Sequence, residues 1–480
     1  MESVRKNYIY SLIYQLLSMG LPLLTTPYLS RILGPEKIGV YSFTYSIATY
    51  FILFAMLGVN NYGNRSCAVV RDNRKKLSET FSEIYVLQCI FACLSISVYV
   101  LYIIILSEAN TVVAWIQLMV VISALFDVNW LYFGLERFKI VVNRNIAVKL
   151  VTVILIFLFV KSPNDIWKYT IIMASSSLFS QIVIWAFLNK HVSFTRPKIS
   201  KVLLHVKPNL MLFIPVIAVS LYKTMDKIMI GTLSGMTQTG LFDNTEKMIN
   251  MPLGIITALG TVMLPRMANL VAKNNLEKTK IYLTNSMLFV MFLSIGMTFG
   301  IAGIAETFVP LFLGEGFVDC IQLLVYIAPT IIFYSWANVI RTQHLIPNKK
   351  DRSYILSVLS GAVINLAVNF LLIPKYGALG AVIGTVAAEA TVCIMQTVVV
   401  RKEIEIYKFF MNSLPFLVFG FIMYQVIEII GKLSLEEMLV VFLQILSGTL
   451  VYVFLSILFL RFVHKNLFYG VYSSLFRKQM

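Results

Sequence analysis

The sequence predicts an all-α integral membrane protein with about fourteen transmembrane helices. Of its 480 residues, 58% are hydrophobic and only 13% are charged, and the mean hydropathy is +0.81. A soluble domain carries about 25% charged residues, so this apolar excess is too large for a soluble core and requires lipid as solvent. The apolar runs are continuous rather than alternating, which favours helices over a transmembrane β-barrel.

Each span is predicted from an apolar run close to the roughly 20 residues that a helix needs to cross a bilayer. The connections between the runs are short, so no extramembrane domain is expected and the activity must lie within the membrane. The approximate cores of the spans are 8–33, 38–61, 81–106, 111–134, 145–161, 167–188, 209–231, 240–265, 281–304, 319–340, 354–373, 378–400, 409–430 and 438–461.

Successive connections alternate in charge. About 31 of the 40 Lys and Arg residues fall at the N-terminus, near 65–76, 137–149, 190–207, 266–280, 341–352, 401–408 and 461–478, and six fall in the intervening loops. This positive-inside pattern places both termini in the cytoplasm; Arg144 is counted with the connection 137–149. The net charge of +17 is therefore a matter of topology, nucleic-acid binding is not expected, and the basic aromatic tail 462–480 is expected to lie on the inner membrane surface.

A short motif occurs twice, about 200 residues apart. Segment 34–41, after the first predicted helix, and segment 235–242, after the seventh, both read Gly-x4-Gly-apolar-aromatic. Six helices separate the copies, so both have the same orientation, as in transporters built from parallel repeats. The sequence therefore predicts a six-helix bundle over 1–190, a second over 191–402, and a helix pair with a basic tail over 403–480.

The seventh predicted span carries Lys223, Asp226 and Lys227 inside an otherwise apolar segment. Charge at the centre of a membrane helix costs about 2.5–3.5 kcal/mol and usually handles an ion or a polar substrate. Lys223 and Lys227 are four residues apart on one helix face, and Asp226 can pair with either. This pattern indicates a transporter; the alternative interpretation is an internal salt bridge near the outer helix end, with the lysines reaching for the interface.

Five sequence blocks occur in the order found in a known family. They are SRILGPEKIGVYSF at 30–43, YFGLERF at 132–138, MDKIMIG at 225–231, MLPR at 263–266 and IPKYGALGA at 373–381. Over nearly its whole length the chain resembles the polysaccharide transporter family, the flippases of oligosaccharide repeat units within the multidrug/oligosaccharidyl-lipid/polysaccharide exporter superfamily.

The resemblance implies two six-helix bundles, a C-terminal helix pair and a central cavity that opens alternately to each side of a bacterial cytoplasmic membrane. It implies that undecaprenyl diphosphate bearing a short glycan is moved outward for O-antigen, capsule or exopolysaccharide assembly, with a repeat-unit polymerase and a chain-length regulator as partners. No cofactor is expected beyond a coupling proton or sodium ion. The related lipid II flippases carry an Arg-Asp pair in the first helix where this chain has Thr25 and Thr26, which argues against lipid II as substrate.

Cations are the groups that bind a diphosphate, and arginine does so with two parallel hydrogen bonds. Each candidate also has a structural explanation: Arg31 as an interfacial anchor or partner of Glu36, Arg137 and Arg266 as topology signals, and Lys247 as part of a solvated helix end. The candidate substrate-binding residues are Lys223, Lys227, Lys247, Arg31, Arg137 and Arg266.

Acidic residues at membrane depth are candidates for ion coupling or gating. They are Asp226, Asp127, Glu389, Asp243 and Glu246. Asp243 and Glu246 have the same structural alternative as Lys247, a solvated helix end. Glu83, near the cytoplasmic end of its helix, is better explained by a surface pair with Arg71 or Lys75.

Aromatic residues offer faces that stack on sugar rings, although most such residues in membrane proteins belong to the interface belt. The candidates along a glycan path are Tyr41, Tyr45, Tyr50, Tyr222 and Trp336.

Two other functions compete with flipping. A drug or cation antiporter of the same superfamily would need an acidic cavity, whereas the seventh span brings two lysines for one aspartate. A membrane polymerase or ligase would need a large outer loop or a cluster of acids and histidines, and the four histidines fall on cytoplasmic connections. The five cysteines show no metal-ligand spacing, so no metal site is expected. For the reasons just given for a polymerase or ligase, no enzyme active site is expected either.

Overall fold

The structure, a computed structural model, describes residues 4–106 and 111–463, without the side chains of 4–19, 106, 215, 218, 221–223 and 463. The described part is almost entirely helical and contains no strand. The predicted all-α membrane fold is therefore confirmed, while the expected position of the tail 462–480 lies almost wholly outside the described residues.

Two compact units divide the chain within one long helix, at Asp243 and Asn244. The predicted boundaries after residues 190 and 402 stay a prediction. The first unit holds α1 (Val4–Met56), α2 (Val59–Val70), α3 (Arg74–Leu106), α4 (Thr111–Ser123), α5 (Asn129–Gly134), α6 (Phe138–Phe159), α7 (Ile166–Val183), α8 (Ile199–Leu204), α9 (Val206–Leu233) and the first turns of α10 (Met236–Ala272). The second unit holds the rest of α10 with α11 (Leu276–Leu313), α12 (Asp319–Ile327), α13 (Thr330–Ile340), α14 (Asp351–Tyr376), α15 (Ala378–Val400), α16 (Ile406–Gly431) and α17 (Glu437–Val463).

Every predicted span coincides with helical structure. Among the described residues, 12 helical segments are long and apolar enough to cross a membrane, and the longest, Gly20–Val70, covers residues 20–33 of the first predicted span and all of the second. A straight helix with the 53 residues of α1 would be about 80 Å long, far more than the roughly 30 Å of a hydrocarbon layer. Non-helical backbone at Gly34 divides α1, and α9 carries the seventh predicted span.

The first glycines of the repeated motif have the same kind of backbone geometry. Gly34 and Gly235 have φ values of +72° and +96°, in the left-handed region that glycine enters without steric cost. Each marks a junction between two membrane helices, with Pro35 opening the helical segment after the first junction. The repeat in the sequence is thus a repeat of a helix junction.

The second glycines of the motif form a close contact between α1 and α10 inside the first unit. A Cβ atom placed on Gly39 would lie 1.7 Å from the carbonyl oxygen of Met236, and one on Gly240 would lie 1.9 Å from that of Pro35. Pro35 and Met236 occupy the same position in the two copies, so the contact is reciprocal. Only glycine allows the two backbones to approach this closely.

The core of the first unit forms where α1 packs against α3, α4, α6 and α9. Trp130, Tyr99 and Tyr132 are the largest fully buried side chains of this unit. The Trp130 indole donates to Gln88 Oε1 at 3.0 Å, and the Tyr132 hydroxyl donates to the Ile184 carbonyl at 2.9 Å. These bonds satisfy the polar end of each ring, so the rings can fix α5 within the unit.

The second unit has a separate core, in which α11 packs against α16 and α17, and α14 packs against α15. Ile295 and Phe416 are fully buried at the first of these contacts. Tyr452 on α17 donates its hydroxyl to the Phe292 carbonyl at 2.7 Å. The helix pair α16 and α17 is therefore anchored on α11 by both apolar packing and a buried hydrogen bond.

Candidate functional site

The charged centre of the first unit is an ion pair between α9 and α10. Lys227 Nζ lies 2.7 Å from Asp243 Oδ1, and Ser42 on α1 donates its hydroxyl to the same oxygen at 2.8 Å. The exposed fractions of the two side chains are 18% for Lys227 and 5% for Asp243. Sequence proximity pointed to Asp226 as the partner of the lysines, whereas the structure places Asp243 against Lys227.

The chain reversal at Gly235 explains this pairing. Lys227 lies eight residues before Gly235 and Asp243 lies eight residues after it, so both are equally far along their helices from the junction. The long lysine side chain then bridges from α9 to the carboxylate on α10. The repeated junction thus positions the ion pair of Lys227 and Asp243.

Tyrosine side chains lie beside the pair. Tyr41 stacks on Tyr45 with ring centroids 5.7 Å apart and contacts Tyr169 at 4.6 Å. Tyr45 is 42% exposed and lies within electrostatic range of Lys227. An accessible aromatic face next to a cation is an arrangement that can contact both a sugar ring and a phosphate.

Asp226 and Lys223 are the other charged residues of this span. Asp226 is 3% exposed, and consecutive residues of a helix do not face each other, so it lies off the Lys227 face. The side chains of Lys223 and Tyr222 lie outside the described residues. The paired-lysine site and the coupling role of Asp226 therefore stay predictions.

Four candidates lie in the second unit. Glu246 and Lys247 are half-buried on α10, and Glu389 is 8% exposed within α15. Arg266 is exposed and lies over the ring of Tyr282, with its guanidinium carbon 4.0 Å from the ring centroid. The cation–π contact gives Arg266 a structural partner; the substrate and coupling roles of all four stay predictions.

Asp127 lies at a break in a membrane-spanning helix. α4 ends at Ser123, a short 3₁₀ turn follows, and α5 begins at Asn129. The Asp127 carboxylate accepts the backbone N–H of Asn129 at 3.0 Å, and Gln88 donates to the Asp127 carbonyl at 2.9 Å. Broken membrane helices are tolerated where protein or a watery cavity satisfies the backbone, which is the setting of many transport sites.

Arg144 is buried beside this break, so its assignment to a cytoplasmic connection is wrong. It lies in α6 and is 8% exposed. Its NH2 group donates to Asn129 Oδ1 at 3.0 Å and to Asn145 Oδ1 at 2.7 Å, and its charge acts on Asp127. The sequence prediction missed this cation because a count of charges does not show which face of a helix a residue occupies. The polar residues at 127, 129 and 145 were the available signal for a buried polar cluster.

The remaining candidates lie at helix ends or in packing positions. Arg31 is exposed near the Gly34 break, and Arg137 is exposed at the start of α6. Glu36, proposed above as a partner of Arg31, lies 3.3 Å from Lys37. The Trp336 indole donates to Thr397 at 2.9 Å, which gives that ring a packing role.

The expected surface pair of Glu83 with Arg71 or Lys75 is wrong. Glu83 Oε2 lies 3.0 Å from Nε2 of His205, whose Nδ1 lies 2.7 Å from the Tyr62 hydroxyl. The sequence could not predict this contact because His205 lies between the short helix α8 and α9, outside every predicted span.

An apolar groove runs between α11, α16 and α17 in the second unit. Its volume is about 380 Å³, and its walls include Gly296, Gly300, Met423, Ile427 and Tyr452. At Gly296 on α11 the absence of a side chain leaves room for the Tyr452 ring, since a Cβ there would lie 2.7 Å from a ring carbon. The groove offers hydrocarbon contacts and few polar groups, which suits an alkyl or prenyl chain.

A family model described as "Polysaccharide biosynthesis protein" matches residues 4–271, more than half of the chain. The chain belongs to this family. A second model, described as "Lipid II flippase MurJ", matches residues 227–449. The family relationship predicted from the five sequence blocks is therefore confirmed.

Two relatives of this polysaccharide biosynthesis protein align over most of its length. It is 25% identical over 407 residues to a candidate O-antigen transporter of Escherichia coli strain K12, covering 84% of this chain and 97% of the relative. It is 24% identical over 388 residues to a candidate O-antigen transporter of Shigella dysenteriae, covering 79% and 96%.

Solved structures share the fold. The lipid II flippase MurJ in an inward closed conformation matches with a TM-score of 0.78 at 16% identity, over 94% of this chain and 99% of that one. An inward-facing multidrug resistance MATE family transporter of the MOP superfamily matches with a TM-score of 0.61 at 15% identity, over 84% and 99%. These identities show the fold alone; with the family match, the protein is a multi-pass membrane transporter and not an enzyme.

Proposed function

We propose that this protein is a flippase that moves undecaprenyl-diphosphate-linked oligosaccharide repeat units from the cytoplasmic to the outer leaflet of the bacterial inner membrane by alternating access. Membership of a polysaccharide biosynthesis family, relatives described as O-antigen transporters and a fold shared with a lipid II flippase support the proposal. The exported units would feed a repeat-unit polymerase and its chain-length regulator, and both termini would face the cytoplasm.

The ion pair of Lys227 and Asp243 carries this proposal. A buried cation without a counter-charge is strongly unfavourable, so Lys227 needs an anion in every state of the transport cycle. Asp243 supplies that anion in the present geometry. A diphosphate oxygen can take its place on the ammonium group, and departure of the diphosphate returns Lys227 to the carboxylate.

The side chains beside the pair fit another part of such a substrate. The exposed face of Tyr45 lies within electrostatic range of Lys227 and offers a platform for the first sugars. This exchange of anions at Lys227 also gives a proton or sodium ion a place to act, because neutralising the Asp243 carboxylate releases the lysine. Asp226 is the second acid proposed for this coupling.

A strain that lacks this protein tests the function. We expect undecaprenyl-diphosphate-linked repeat units to accumulate on the cytoplasmic side while the polymer disappears from the cell surface. The wild-type chain should reverse both effects. A strain with no accumulation but with altered drug or cation tolerance would instead support the antiporter.

Variants of Lys227 test the site within the same strain. Lys227→Ala should abolish the surface polymer at normal protein level, and Lys227→Arg should keep part of it because the cation remains. Lys375→Ala, an exposed lysine at the end of α14, serves as the matched control and should behave as wild type. Normal polymer from Lys227→Ala would remove this residue from the site, and Lys223→Ala tests the neighbouring lysine separately.

A further inference from the structure

The connections at one end of the first unit enclose a charged cavity of about 300 Å³. Its walls come from three places far apart in the sequence: the start of α3, the turn between α5 and α6, and the residues that follow α7. This volume reaches the lower limit of typical small-ligand sites, about 300 Å³. The charged side chains that line it are Arg71, Arg74, Arg137, Lys190, Asp72 and Glu136.

Cations outnumber carboxylates in this lining, four to two. Arg71 donates to Glu136 Oε1 at 2.7 Å, and Arg74 donates to a backbone carbonyl, that of Asn189, at 3.2 Å. Those two arginines brace the walls of the cavity, while Arg137 and Lys190 are exposed. A concave surface with an excess of one charge concentrates ions of the opposite sign.

The turn that carries Arg137 is held rigidly. The backbone N–H groups of Glu136 and Arg137 donate to the carbonyls of Phe133 and Tyr132 at 3.0 and 2.8 Å. Glu136 has a φ of +58°, a strained conformation for a residue other than glycine that is concentrated at functional sites. This turn belongs to the block YFGLERF at 132–138, one of the five that mark the family, and it carries Arg137, a candidate cation for binding phosphate.

His191 forms part of the same wall, with its ring 5.8 Å from the ring of Tyr132. Burial lowers the pKa of His191, and the charges of Arg137, Lys190 and Arg74 lower it further. The imidazole is therefore neutral at pH 7 and can offer one N–H donor. The positive field that acts on His191 is the field that a bound anion would compensate.

We propose that this cavity binds a phosphate group, as an anion site separate from Lys227. The positive-inside pattern requires basic residues in these connections but does not require them to converge on one concave surface. Guanidinium, ammonium and imidazole donors around one cavity are the groups that form charge-assisted hydrogen bonds with phosphate. The source is an anionic phospholipid, a diphosphate-linked lipid or free phosphate, and the test below separates the three. The inference does not depend on the flipping reaction.

The purified full-length protein in detergent tests this site. Binding of phosphatidylglycerol, undecaprenyl diphosphate and phosphatidylcholine is measured by native mass spectrometry, and binding of inorganic pyrophosphate by calorimetry. We expect the double variant Arg137→Gln/Lys190→Gln to lose at least tenfold in affinity for the phosphate ligand that binds, with a weaker dependence on salt. The matched control Lys273→Gln/Lys278→Gln removes the same charge from exposed lysines outside the cavity and should bind as wild type.

The pattern of ligands identifies the source of the phosphate. Affinity for pyrophosphate alone shows a site for free phosphate, and affinity restricted to either anionic lipid shows a headgroup site, provided that the cavity variant loses it. Equal binding by the cavity variant and the control overturns the proposal, as does the absence of binding by every phosphate ligand. Equal melting temperatures of the two variants show that the loss is not caused by unfolding.

Discussion

At the scale of single residues, the proposed transport depends on which anion pairs with the buried ammonium group of Lys227. Removing one member of a buried ion pair costs about 3–5 kcal/mol because the other charge stays behind, whereas replacing both members is often nearly neutral. The lysine and aspartate here differ in exposure, with Asp243 the more buried. Structural and transport roles of the pair can therefore be separated by comparing single and double variants.

The double variant Lys227→Met/Asp243→Leu makes that separation. We expect Asp243→Leu alone to lower the melting temperature clearly, and we expect the double variant to recover most of the loss. Surface polymer should not recover with it, because the cation that binds diphosphate is absent. A double variant that melts and exports polymer as wild type would show that the pair serves folding only.

Arg144 is the second residue for which the structure makes a specific prediction about stability. Its guanidinium ties Asn129 at the helix break to Asn145, and hydrogen bonds of charged groups contribute about 1.5–3 kcal/mol each. Arg144→Leu should therefore lower the melting temperature of the purified protein strongly, and Arg144→Lys should lower it less. Lys139→Gln, an exposed lysine of the same helix, is the control; an Arg144→Leu variant as stable as this control would show that the buried network contributes little.

At the scale of helices, the reciprocal glycine contact makes the clearest prediction. Gly240→Ala places a methyl group 1.9 Å from the Pro35 carbonyl oxygen, so α1 and α10 must move apart. We expect low folding yield or a large loss of transport for Gly39→Ala and Gly240→Ala. Gly20→Ala is the control, because no described atom lies within 4 Å of its Cβ position. Normal yield and transport from both contact variants would mean that the helices are not this close in the membrane.

The connection between α15 and α16 predicts a dependence of stability on pH. Hydrogen bonds from Lys280 and Lys408 lower the pKa of Glu405 from 4.5 to about 2. Because the folded-state value is depressed, this stabilisation is present above about pH 4.5 and is lost as the pH falls toward 2. Glu405→Gln should melt below wild type at pH 7, and the difference should shrink as the pH is lowered from 4.5 to 3. Glu437→Gln, at the exposed start of α17, should not change this dependence; a constant difference at all pH values for Glu405→Gln would contradict the ion pairs.

At the scale of the whole molecule, the sequence predicted the membrane spans well and their side-chain contacts poorly. Hydropathy located the spans because a bilayer imposes the same length and polarity on every one of them. The partner of Lys227 was not predictable, since it depends on how the chain reverses at Gly235. Arg144 was assigned to a loop because composition does not show where a helix begins, and α6 begins six residues before Arg144. Pairings across helices are decided by packing, which local sequence does not encode.

Transport itself is measured most directly with the purified protein in lipid vesicles. A fluorescent undecaprenyl-diphosphate-linked oligosaccharide is placed in both leaflets, and a glycan-binding probe added outside reports how much becomes accessible with time. We expect wild-type vesicles to expose the inner pool of the labelled oligosaccharide. We expect vesicles with Lys227→Ala to expose no more of that pool than protein-free vesicles do. Equal exposure of the inner pool by wild-type, Lys227→Ala and protein-free vesicles would contradict the flippase.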